Sequence, residues 1–94
     1  MSLKETYEDL QQKASKIKHE LASLQTEMTL LEENIHVIEL NPNFLETDVQ
    51  PLYESLWNLQ MVYKKHQIEL NTVILQLNQL DHILEDIIET DQTI

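Results

Sequence analysis

Glu33-Asn34-Ile35-His36 is the segment of this 94-residue chain whose residue types and spacing come closest to chemistry. It matches Glu-x-x-His, the pattern with which four-helix bundles hold carboxylate-bridged metal pairs. Such a site needs the Glu and the His to project into the bundle core, and further inward carboxylates to complete it. Here Ile35 occupies the apolar repeat, so Glu33 and His36 are expected to face outward, and the motif occurs once. His82-x-x-Glu85 and His19-Glu20 offer no second ligand pair on a common face. All three are read as solvated helix surface, with no metal. Tyr7-Glu8-Asp9-Leu10 and Tyr53-Glu54-Ser55-Leu56 resemble tyrosine-based sorting peptides. Those peptides act as extended segments, whereas these are expected to be helical, with the leucines turned inward.

Other chemistry lacks its parts. With no cysteine there is no disulfide, thiolate zinc site or cysteine nucleophile. With no glycine, a phosphate-cradling loop has no residue suited to its backbone. No Ser/His/Asp set accompanies a plausible pocket, and a pair of helices lacks the concavity that holds a small substrate. The expectation is a protein that is not an enzyme, with no catalytic residues, no cofactor and no small-molecule substrate.

The elements that would position any side chain are announced by an apolar repeat. Leu3, Tyr7, Leu10, Ala14, Ile17, Leu21, Leu24, Met28, Leu31, Ile35 and Ile38 alternate spacings of four and three. After Asn41-Pro42 the rule resumes at Leu52, Leu56, Leu59, Tyr63, His66, Leu70, Val73, Leu77, Leu80, Leu84 and Ile87. A repeat of 3.5 residues sustained over five heptads makes helices wind around one another. Among these positions only His66 is strongly polar. A polar seam residue can fix register, and an imidazole can make association pH-sensitive. The plainer reading is a histidine satisfied by a neighbour or by water.

The pattern predicts an all-α fold in a single domain, 1–94. Helix one runs from about 3 to 39, a connector from about 40 to 50 and helix two from about 51 to 89. A short acidic tail, 90–94, follows. Asn41-Pro42 ends the first helix, because proline disfavours the α conformation in the residue before it and asparagine is a common C-terminal cap. Asp48 or Gln50 is expected to cap the second helix, with Pro51 in its first turn, where a missing N–H costs little. A Thr47 cap paired with Gln50 ranks lower. Phe44 and Leu45, apolar in the connector, are expected to fold over the end of the seam; the alternative is a hook for a partner. Two seams of equal length, each roughly 54 Å at 1.5 Å per residue, argue for an antiparallel coiled-coil hairpin within a four-helix or larger bundle. Layers whose residue numbers sum to about 94 would set Ile38 near Leu56, Leu24 near Leu70 and Leu10 near Leu84; sums near 87 or 90 are the other offsets.

Six lysines, no arginine and seventeen acidic residues leave a net charge of −11, which opposes binding to nucleic acid or to an anionic membrane surface. No apolar run approaches the roughly 18–20 residues that span a bilayer, and the first residues lack a signal-peptide core. Cytoplasm or nucleus is the expected setting. Lys4, Lys13, Lys16 and Lys18 near one end of the chain, with Asp81, Glu85, Asp86, Glu89 and Asp91 at the other, favour antiparallel pairing. The same fold would bring Lys64 and Lys65 near Glu27, Glu32 and Glu33.

The polar faces of the two helices differ. Helix one is polar off its seam apart from Ala22, Leu30 and Val37. Helix two carries Trp57, Met61, Ile68 and Leu75 in one band away from its seam, flanked by Tyr53 and Ile74, with Val62, Ile83 and Ile88 elsewhere. A helix apolar nearly all round is normally buried, so this band is the expected partner-binding face. The functional expectation is a structural or assembly protein. It would associate with itself as a homodimer, or with other α-helical subunits of a scaffold such as a cytoskeletal, kinetochore, tethering or transcription complex. An adaptor or chaperone that grips a client helix transiently is the alternative. This outline is shared by many small coiled-coil subunits, and architecture does not determine function.

Overall fold

Ser2 starts the first helix. Its backbone is extended, at φ −80° and ψ 158°, and its Oγ accepts the Glu5 N–H at 3.1 Å, leaving one fewer orphan donor in the first turn. Ser2 and Glu5 have capping-box spacing. The computed structural model describes residues 2–92, and side-chain surroundings through residue 86. The side chains of Ile87, Ile88, Glu89 and Asp91, and residues 93 and 94, lie outside the described set.

Helix α1 spans Leu3–Glu39 and helix α2 spans Glu46–Gln92. They pack against each other along a molecule 78 × 20 × 14 Å, an extended helical hairpin without strands among the described residues. The first helix has the expected bounds. The second begins five residues before Pro51, and the connector shortens to 40–45.

The early start has a local cause. The Asp48 carboxylate accepts the Leu45 N–H at 3.3 Å while the Asp48 N–H bonds the Leu45 carbonyl at 2.9 Å. Asp48 thus reaches back from the third helical position, and neither it nor Gln50 or Thr47 is the N-cap. Pro51 sits inside the helix, where its missing N–H leaves the Thr47 carbonyl without an i+4 donor. Thr47 is exposed, so water can meet that carbonyl. The extra turn buries Val49. Val49 lies three residues before Leu52 and seven before Leu56, and so extends the seam by one position.

The turn is made without any positive φ. Leu40, in right-handed geometry, is the C-cap, and its N–H reaches the His36 carbonyl at 3.0 Å. Asn41 does not cap in the left-handed region as expected. Its Oδ1 accepts the Asn43 N–H at 3.0 Å, and its carbonyl accepts the Phe44 N–H at 3.1 Å. Phe44 is half-buried in a recess with Glu39, Val49 and Tyr53, while Leu45 is exposed. One of the two connector residues closes the end of the seam and the other does not.

The seam is the core. Among the described residues Ala14, Ile17, Leu21, Met28, Ile35, Val49 and Val73 are the buried hydrophobic ones, and Val73 is the least exposed of these at 2%. The other described seam residues are half-buried except Leu3, as a two-helix interface dictates: each side chain has a partner on one side and water on the other. Val73 clusters with Ala14, Ile17 and Leu21, joined by Leu10, Tyr63, Leu70 and Leu77. Side-chain contacts between the helices join Glu39 to Tyr53, Glu20 to His66 and Tyr7 to Asp81. This clustering, with the Glu20–His66 and Tyr7–Asp81 contacts, places the layers at residue numbers summing to about 87, one heptad short of 94. Leu10 then faces Leu77 rather than Leu84, Leu24 faces Tyr63, and Ile38 faces Val49. The short connector is the reason: with the second helix starting early, the first layer closes on Val49.

Candidate partner-binding face

The seam turns Trp57, Met61, Ile68 and Leu75 away from α1. Ile68 and Leu75 follow Met61 at intervals of seven, and Trp57 precedes it by four, so the four form one stripe on the back of α2. They are 60%, 50%, 67% and 59% exposed. A shallow groove beside Trp57 is walled by Tyr53, Glu54, Leu56 and Gln60.

The two flanking residues behave differently. Tyr53 is exposed, but its hydroxyl donates to Glu39 Oε1 at 2.9 Å, which ties it to the end of α1. That hydrogen bond, with burial and the nearby carboxylate charge, raises its pKa. Ile74 lies beside the seam and is the least exposed of the six candidates. The accessible centre is therefore Trp57, Met61, Ile68 and Leu75. Val62 and Ile83 are exposed on a different side of the helix, and Leu30 and Val37 form a smaller exposed stripe on α1.

His66 sits in the seam with its side chain one-quarter exposed (25%). Its Nδ1 lies 3.5 Å from Glu20 of α1 and 3.8 Å from Glu69 of its own helix, yet this buried atom has no hydrogen-bond partner. At the other end of the hairpin Tyr7 reaches across to Asp81. Its pKa is raised by that hydrogen bond first, then by burial and the Asp81 charge, with Gln11 acting in the opposite sense.

Glu33 and His36 are both exposed and Ile35 is buried, as the repeat predicts. They border a shallow depression with Thr29, Glu32 and Val37. His82 and Glu85 approach to 3.9 Å on an open helix surface. Among the described residues no three His, Cys, Asp or Glu side chains converge as metal ligands, and no helix is long and apolar enough to cross a membrane.

The one feature of the first turns that sequence reasoning missed is Val49, whose signal was its spacing to Leu52 and Leu56. Comparison of the chain with protein family models, with curated proteins and with solved structures gave no match.

Proposed function

We propose that this chain is a non-enzymatic assembly module, a helical hairpin of an intracellular multiprotein scaffold that packs against a further helix through the back of α2. One observation carries this reading: Trp57, Met61, Ile68 and Leu75 stand exposed in a single stripe on a helix whose opposite side is already committed to the seam. Single exposed apolar residues are ordinary, but large ones aligned along a helix mark an interaction surface. Aromatic anchors such as Trp57 commonly carry much of an interface's energy. The thin core points the same way, because most seam leucines are only half-buried and further packing against this rod would remove apolar surface from water.

The test uses Lys64 and Lys65, which adjoin the stripe and are exposed. Amine crosslinking in cells, read by mass spectrometry, should link them to a helix of another polypeptide or of a second copy. The double variant Trp57→Glu/Ile68→Asp should lose those links while keeping its helix content. Equal links and equal hydrodynamic mass in wild type and variant would refute the assignment.

A further inference from the structure

We infer that the helix received by this face is α2 of a second copy, running antiparallel, with Ile68 on the two-fold axis. The inference rests on the assembly role proposed above and specifies its partner.

Charge placement is the first argument. A chain of net charge −11 should repel its own copy, but the acids are not spread evenly. From Ser55 to Leu80 there is a single acidic residue, Glu69, against seventeen in the whole chain. Glu69 is directed toward the seam, 3.8 Å from His66 Nδ1. The stripe crosses this acid-poor stretch, so it is where two copies can meet without opposing carboxylates. Ion pairs and repulsions away from it are screened within about 8 Å at physiological salt.

Symmetry is the second argument. A closed two-fold dimer needs a self-complementary patch. Ile68 lies one residue from the middle of α2, Glu46–Gln92, with Met61 seven residues before it and Leu75 seven after. An antiparallel copy places Met61 on Leu75 twice and Ile68 on Ile68. It also sets Lys64 beside Asn71, Lys65 beside Thr72 and Glu54 against His82. A parallel copy would face Lys64 with Lys65 and Glu54 with Glu54. Like charges directly opposed select against that orientation. The product is a row of four helices with the two α2 helices inside and the two α1 helices outside.

Light scattering on the purified chain should give twice the 11.1 kDa chain mass. Ile68→Asp sets two carboxylates face to face on the axis and should raise the dimer dissociation constant at least 100-fold, roughly. Because Ile68 is exposed in the hairpin, helix content by circular dichroism should not change. The chain has no cysteine, so single replacements report geometry directly. Ile68→Cys should form a covalent dimer on oxidation. Met61→Cys should link to Leu75→Cys in a mixture but not to itself. Self-linking of Met61→Cys equal to that of the mixture would overturn the antiparallel arrangement. A wild-type chain that is monomeric at high micromolar concentration, while its Lys64 and Lys65 crosslink to another polypeptide in cells, would overturn the second copy and leave the assembly role standing. A monomer that links to nothing would overturn both.

Discussion

Replacing His66 with leucine should make the protein more stable. His66 occupies a seam position that faces Leu21, with its side chain one-quarter exposed (25%). Its Nδ1 is buried and makes no hydrogen bond, with the Glu20 and Glu69 carboxylates 3.5 and 3.8 Å away. A buried polar atom left without a partner costs about 1–3 kcal/mol. Leucine removes that cost and adds apolar contact in a layer already lined by Leu21. Discounting for the exposed quarter, the expected gain is about 1–2 kcal/mol, or about 5–15 °C in melting temperature for a domain of this size. Thermal melts followed at 222 nm, at one fixed chain concentration because self-association shifts the midpoint, would measure it. A seam histidine can also hold register at the expense of stability. His66→Leu should therefore broaden the set of cysteine pairs that crosslink along the seam. A melting temperature equal to or below wild type would refute the reasoning.

Register itself is testable, since one heptad along a helix is a displacement of about 10 Å and a disulfide tolerates far less. Leu10→Cys paired with Leu77→Cys should oxidise within one chain, whereas Leu10→Cys with Leu84→Cys should not; the opposite outcome restores the longer connector. Ile17→Asp or Val73→Asp buries an unpaired charge against a small total stability and should unfold the hairpin. Glu33→Ala and His36→Ala should stay within about 0.5 kcal/mol of wild type, and metal-dependent melting lost in His36→Ala would contradict that. The tyrosines predict an alkaline limit. Folding holds the Tyr7 and Tyr53 hydroxyls protonated through their bonds to Asp81 and Glu39, so their folded values lie above the ordinary one. That contribution is complete below pH about 10 and fades as the pH rises through the raised values. Melting temperature should drop on that rise, and the double variant Tyr7→Phe/Tyr53→Phe should drop less; identical profiles would remove these bonds from the account.

The seam was legible because a 3.5-residue repeat leaves few alternatives for chains without glycine. The positions picked from it are buried or half-buried wherever described, apart from Leu3 at the open end. The start of α2 was harder to read. Pro51 is a common first-turn residue, and that local preference favoured a later start. Burial of Val49 and the Asp48 bond to Leu45 outweighed one lost hydrogen bond at a wet carbonyl. That shift moved the register by a heptad, since the connector decides which layer closes first. The stripe from Trp57 to Leu75 was legible as a face. What covers it was not, because exposure records the lack of a neighbour and carries no information about the neighbour's identity. Charge and symmetry supply that step. The tie between Tyr53 and Glu39 needed coordinates, since it depends on where the shortened connector brings the end of α1.

The six-residue connector also dictates an order of events during folding. Closing Ile38 on Val49 brings together residues close in sequence, and the entropy of loop closure rises with the length closed. Once that layer forms, the next closes against an existing scaffold, so each later contact adds a small increment of chain. The expected path is a zipper that starts at the turn and ends where Leu3 meets Leu84, with contact rates in the fast range of helical proteins. Unfolding runs the other way, from the open ends inward. The layers around Met28 and Ile35 should therefore show high φ-values, and those around Leu10 low ones.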